Sequence, residues 1–234
     1  MVYRPIFAAL RREGVRLVAV CDPVREHADA YADSLGVPAY YSISELVRAR
    51  PMEAALVVAP AAAHYAVSYY LSSHGIHNVV ETPLAVTLAQ AQEMARMARQ
   101  NDVVMRVGEQ FFRLPFPRLA QRAAATGYLG PINRVICAYD HAGSHNNSCW
   151  IHFFRAYPIA VQAMDQNIPE DSVAYRFRDI ERFRSHFYTF PGNLFAADFF
   201  SDVKGLLGRY PRPGYTQIEG ERGAIAWRAA SRWN

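Results

Sequence analysis

The residues with the greatest chemical capacity crowd into one stretch, DHAGSHNNSCWIH at 140–152. Asp140, His141, His145 and His152 are candidate general acids or bases, because imidazole titrates near neutral pH. A hydroxyl at Thr82 or Ser148 is available as a partner for one of these histidines. The same stretch reads equally as a solvated loop, since Gly143, Asn146 and Asn147 are ordinary loop formers. His141 and His145 share an i, i+4 spacing, but Gly143 and the asparagine pair argue against a helix presenting both on one face. No metal site is therefore expected. Cys149 has no neighbour in sequence that would lower its pKa and reads as a buried thiol. A second set of polar residues stands in two short loops: Pro60 to His64, and Glu81-Thr82-Pro83.

Those two loops belong to residues 54–87, around which the chain is organised. Ala54–Ala59 is a short apolar run suited to a parallel strand covered on both faces. Pro60 ends it. Apolar residues then recur at helical intervals over 62–73, with His74-Gly75 as a stop. His77–Val80 reads as the next strand. In a doubly wound sheet, ligands bind beyond the carboxyl ends of the strands, where both loops fall. The same alternation runs through residues 1–107: helix 4–12, strand 17–21 ended by Asp22-Pro23, helix 24–35, and a short strand at 39–41. A helix capped by Ser42 or Ser44, a helix at 87–100 capped by Thr87, and a strand at 103–107 complete it. Such alternation predicts an α/β fold with a parallel sheet.

After residue 108 the texture changes. A helix is expected at 118–125 and a strand at 132–139, which ends at the loop 140–152. Aromatic-rich strands follow at 185–190 and 195–200, with a closing hairpin at 215–219 and 224–228. Two domains are expected, 1–115 and 116–234. With 51% apolar residues among 234, a sizeable core is available. The net charge of +4 is scattered, and Lys204 is the only lysine, so no nucleic-acid footprint is visible. No apolar stretch approaches the roughly 20 residues of a membrane span. Three cysteines with no metal or redox spacing suit a cytoplasmic protein.

These fragments, in this order, resemble the glucose–fructose oxidoreductase and inositol 2-dehydrogenase (Gfo/Idh/MocA) family. The resemblance rests on VRLVAVCDP (15–23), VVAPAAAH (57–64), NVVETPLAVT (78–87), VGEQFFRLPFP (107–117), GYLGPI (127–132) and GYTQIEGERGAI (214–225). It implies a Rossmann-like domain followed by an α+β domain with an open antiparallel sheet. It further implies an oxidoreductase passing hydride between NAD, with NADP less favoured, and a sugar, cyclitol or polyol. A homo-oligomer joined through the C-terminal sheet is also implied. By the same resemblance, Asp22 would bind the adenosine ribose, and Pro60 and His64 would line the cofactor. Glu81 and Pro83 would stand at the ends of a Glu-Lys-Pro motif, and Gln110 and Arg113 at the crossover to the second domain.

Three departures qualify this expectation. No glycine precedes Gly14, so the glycine-rich turn and first strand of such a fold are not visible. A preceding segment, or another one, is expected to fill that gap. The motif lysine is Thr82, which offers a hydroxyl but no charge. The family's Asp-x-x-x-His helix, aligned with AYPIAVQAMD at 156–165, has neither a His nor the Asp at the required spacing. With Thr82 at the lysine position, His141 or His145 becomes the candidate proton carrier. The alternative is a degenerate homologue that binds a ligand or partner without redox turnover.

Overall fold

The computed structural model describes residues 4–139, 143–169, 180–201 and 214–229. The chain divides into two compact units, Met1–Gly108 and Glu109–Asn234.

The first unit alternates helix and strand. In order it contains α1 (Arg4–Leu10), β1 (Val20–Cys21), α2 (Arg25–Leu35), β2 (Ala39–Tyr40), α3 (Ile43–Ala49) and β3 (Ala54–Val57). Then come α4 (Ala61–Ser73), β4 (His77–Val80), α5 (Leu88–Gln100) and β5 (Met105–Val107). Every ladder is parallel: β1 with β2, β3 with β4, and β4 with β5. The described strands form two sheets, β1-β2 and β3-β4-β5, so β1 and β3 each carry one ladder. That interruption falls where the glycine-rich strand was expected.

Local chemistry explains the helix starts. The Ser42 hydroxyl accepts from Glu45 N–H ahead of α3, and Thr87 caps α5 with a reciprocal box to Gln90. The core gathers Val47, Val57, Leu71, Ile76, Val80 and Met94. Helix α4 also buries a polar stripe, Ser68 and Ser72. Asn78 of β4 satisfies it: Ser68 Oγ donates to Asn78 Oδ1 at 2.7 Å, and Asn78 Nδ2 donates to Ser72 Oγ at 3.0 Å. A buried amide is tolerable here because its partners come with it.

The second unit opens with a 3-10 turn at Phe111–Arg113 and α6 (Pro115–Ala125). It continues through β6 (Ile132–Tyr139), α7 (Gly143–Phe154), β7 (Ala160–Pro169), β8 (Ile180–Phe190), β9 (Leu194–Ser201), β10 (Gly214–Gly220) and β11 (Gly223–Ala229). One six-stranded sheet runs β11-β10-β6-β9-β8-β7. Its pairs are antiparallel except β6 with β9, which is parallel.

Two expectations are corrected. The expected loop at 140–152 is mostly helix α7, because Cys149 and Trp150 are spaced to bury against the sheet cluster of Val135, Cys137, Phe190, Ala196 and Ile218. That burial outweighs the weak helix propensities of Gly143 and the asparagines. The expected helix at 156–165 is instead the start of β7, which pairs with β8 along its whole length. Residues such as Ala163 and Gln162 favour helices, but the ladder decides.

Gly220 closes the β10–β11 hairpin at a bulge. A Cβ there would lie 2.3 Å from the Leu129 carbonyl oxygen and 3.0 Å from that of Pro131. Both carbonyls are fixed, since they accept Arg222 and Glu221 N–H. Gly220→Ala should therefore destabilise the chain by about 2–3 kcal/mol, an overpacking cost. Urea unfolding followed by fluorescence would read it, and an unchanged midpoint would show that these carbonyls yield.

Candidate functional site

In the first unit, the sequence-derived site residues stand directly after parallel strands. Asp22 follows β1, Pro60 lies just past β3, and Glu81 follows β4. Asp22 Oδ1 accepts the Val24 N–H at 2.9 Å, and His27 Nδ1 stands 3.8 Å away. The Pro60 carbonyl accepts the Ala63 N–H as α4 begins. His64, in the first turns of α4, is 1% exposed. Its Nδ1 lies 2.7 Å from the Pro83 carbonyl oxygen and its Nε2 lies 2.7 Å from that of Ala59. The ring thus ties the loop after β3 to the loop after β4. The Thr82-Pro83 peptide is cis, and Thr82 N–H donates to Glu81 Oε2 at 3.0 Å.

A dinucleotide can be tested against this edge. Asp22 offers a half-buried carboxylate at a strand end, the acceptor type that a ribose diol needs. Gly108, which follows β5, donates to the Val80 carbonyl at 2.7 Å. A Cβ on Gly108 would come to 3.4 Å from that oxygen and 3.5 Å from Glu81, so a side chain there would crowd the strand end. These residues fit a nucleotide lying along the edge. Backbone donors of a glycine-rich turn for the pyrophosphate are not among the described residues.

The second unit holds the acid–base candidates. His141 lies outside the described residues. His145, on α7, pairs through Nδ1 with Glu109 Oε2 at 2.5 Å. Its ring stacks on Phe111 with centroids 4.2 Å apart and planes 6° from parallel. Glu109 Oε1 accepts the Phe111 N–H at 2.8 Å, so one carboxylate fixes both ring and turn. His152, a helical turn from Ser148, lies against Phe112 with ring centroids 4.2 Å apart and planes tilted by 33°. The helix after the unit's first strand therefore carries a histidine preceded four residues earlier by a serine. Gln110 is exposed at the start of the 3-10 turn, and its carbonyl accepts Arg113 N–H.

Sequence reasoning missed Glu109 and a second histidine–carboxylate pair. On β8 and β9, His186 Nδ1 lies 2.7 Å from Asp198 Oδ1. Asp198 is fully buried, and burial pushes its carboxyl above the ordinary range against the opposing pull of His186. The Asn146 side chain stands close enough to favour the charged form. Among the described residues, though, neither Asp198 Oδ2 nor Asn146 Nδ2 has a partner at full hydrogen-bond geometry. Nearby Tyr188 is pushed up to about 12, chiefly by burial. The available signal was an aspartate inside the aromatic strand LFAADFF. Cys137 and Cys149, pushed by burial to about 11 and about 12, are inert thiols.

Because Asp198's folded pKa lies above its unfolded value, its ionisation opposes folding, and that penalty grows as pH rises through the interval between the two. Asp198→Asn should raise stability at pH 7 by roughly 1 kcal/mol, the cost of an unsatisfied buried group. The gain should shrink as pH falls into the ordinary carboxylate range. Urea unfolding at both pH values measures it, and a loss at pH 7 would show that the bond to His186 outweighs burial.

Comparison with known proteins bears on these residues. A curated relative, 2,7-anhydro-N-acetylneuraminate hydratase of Mediterraneibacter gnavus, is 26% identical over 121 residues. That alignment covers 52% of this chain and 32% of the relative, so the match spans about a third of that protein. The solved myo-inositol 2-dehydrogenase of Lactobacillus plantarum superposes with a TM-score of 0.78 at 17% identity, covering 94% of this chain and 71% of that one. The WlbA dehydrogenase of Bordetella pertussis, solved with NADH and UDP-GlcNAcA, superposes at 0.80 with 18% identity, covering 99% and 78%. The family model described as "Oxidoreductase family, NAD-binding Rossmann fold" matches residues 3–109. Over that first unit, the chain is similar to the Gfo/Idh/MocA oxidoreductase family.

Proposed function

We propose that the protein is an NAD-dependent oxidoreductase acting on a sugar, cyclitol or related polyol. The carrying observation is the family match over residues 3–109, with Asp22, Pro60 and Glu81 just past the ends of parallel strands. NAD, when bound, supplies the hydride acceptor. Asp22 would hold the adenosine ribose, and its negative charge favours NAD over NADP by repelling a 2′-phosphate. Pro60, Glu81 and Pro83 would line the cofactor edge, with His64 fixing the two loops from beneath. Gln110 would line the cofactor side of the crossover.

Thr82 replaces a charged group with a hydroxyl, so proton exchange falls to a histidine. His145 suits the task in this reading. The Glu109 carboxylate fixes its Nδ1 and Phe111 fixes its plane. His141 is the sequence's other candidate for the same task. The sheet of the second unit would join copies into a homo-oligomer, and the three unpaired cysteines suit a cytoplasmic setting. Among the described residues, no helix is long and apolar enough to cross a membrane. A second reading, ligand binding without turnover, is favoured by the uncharged Thr82 and by the glycine-rich turn not visible in the sequence.

Titration with NADH and NADPH, followed by nicotinamide fluorescence, tests the cofactor assignment. NADH should bind in the micromolar range and more tightly than NADPH, and Asp22→Ala should reduce that preference by about tenfold. No binding of either cofactor at millimolar concentration would sink the reading. For chemistry, His145→Ala should lower polyol-dependent NAD reduction by about 10²-fold, the usual scale for a general base. NADH affinity should stay within about twofold. An unchanged rate would remove His145 from the reaction, and NADH binding with no turnover of any polyol would favour the second reading.

A further inference from the structure

The sheet of the second unit carries a polar row where a core should be apolar. Thr216 of β10 pairs in register with Cys137 of β6, Cys137 with Asp198 of β9, and Asp198 with His186 of β8. Directly opposite residues on adjacent strands share a face. These four side chains therefore cross four strands in one line. The neighbours on that face are Val135, Phe190, Ala196 and Ile218, and Trp150 of α7 packs over it.

The row is graded from dry to wet. Thr216, Cys137 and Asp198 are buried, and the His186 side chain is 26% exposed. Thr216 Oγ1 donates to Cys137 Sγ at 3.7 Å, and Trp150 Nε1 donates to the same sulfur at 3.4 Å. Among the described residues, one Asp198 oxygen and the amide nitrogen of Asn146, 2% exposed, have no partner at full hydrogen-bond geometry, and the Asn146 side chain stands near the Asp198 carboxylate. A carboxylate serving packing alone would be replaced here by an apolar residue of similar size without loss. Retaining it has a cost, and such costs are kept where they orient a working group.

The orientation is specific. A carboxylate accepts, so His186 Nδ1–H donates to Asp198 and Nε2 is left as an acceptor at the exposed end of the row. No partner for Nε2 is present among the described residues. The Tyr188 ring lies 5.9 Å from the His186 ring and adds an aromatic wall. An exposed nitrogen acceptor, a fixed ring and an adjacent aromatic face suit a polyhydroxylated ligand, which presents O–H donors and apolar C–H faces.

We propose that the His186–Asp198 pair is a hydroxyl-binding subsite for a polyol, with His186 Nε2 accepting a ligand hydroxyl and Asp198 holding the ring in that tautomer. Asp198 is a positioning residue in this assignment. The assignment deepens the oxidoreductase reading and rests on it for the ligand class.

The test uses the full chain labelled with 15N, with side-chain histidine resonances followed by NMR and myo-inositol and glucose as probes. The His186 Nε2 resonance should show a bare nitrogen without ligand, and one probe should move it saturably at millimolar concentration. Asp198→Asn and His186→Gln should each weaken that response by about tenfold or more, equivalent to one lost hydrogen bond. Thermal unfolding of the two variants separates loss of the subsite from loss of the fold. Binding within about twofold of the parent in both folded variants would overturn the assignment. So would a His186 resonance that neither probe moves. NADH titration of the same samples keeps the two readings apart. A His186 response without NADH binding sinks the oxidoreductase reading and leaves the subsite, and NADH binding without a His186 response does the reverse.

Discussion

A buried imidazole holds the working edge of the first unit together. Backbone carbonyls removed from water need a donor, and the loops after β3 and β4 each bring one into the interior. His64 lies between them, with a ring nitrogen 2.7 Å from the Ala59 carbonyl oxygen on one side and the other 2.7 Å from that of Pro83, and its N–H serves one of the two. A single side chain therefore sets the spacing between the chain after β3 and the Glu81-Thr82-Pro83 turn. The position is possible only because α4 starts immediately after Pro60, which places residue 64 one turn into the helix and over the next loop. His64 is 1% exposed, so water does not compete at its ring nitrogens.

The second unit solves a related problem with charge. Two histidines are each held at Nδ1 by a carboxylate, His145 by Glu109 and His186 by Asp198. The environments differ. Glu109 also accepts a backbone N–H, so both of its oxygens are engaged. Asp198 lies deeper, among sheet side chains, with one oxygen unmatched. A carboxylate that is fully engaged costs the fold little, whereas one that is half engaged leaves the fold paying for its orientation. That contrast separates a histidine whose carboxylate is engaged at both oxygens from one whose carboxylate is engaged at a single oxygen among the described residues.

Much of the fold was legible in the residues. The strands at His77–Val80 and Ile132–Tyr139 and the helices α2, α4 and α5 fall where apolar periodicity and capping residues put them. The Thr87 cap was readable because a capping box is a purely local contract between residues three apart. The errors lie where long-range pairing won. Residues 156–165 carry helix formers but lie largely in an edge strand, and Gly143 with its following asparagines enters a helix because Trp150 must reach the sheet. The carboxylates were invisible for the same reason. Glu109 is 36 positions from His145, and Asp198 is 12 from His186 across a strand register no local pattern announces.

The sequence by itself determined the alternation of strand and helix up to residue 107 and the strand-end positions of Asp22, Pro60 and Glu81, since each rests on neighbours within a few turns of chain. Only the tertiary structure decided that His64 is locked between two carbonyls, that α7 presents His145 to Glu109, and that Thr216, Cys137, Asp198 and His186 form one row. Those juxtapositions depend on sheet register and on helix packing, and both are set by burying apolar surface across distant segments.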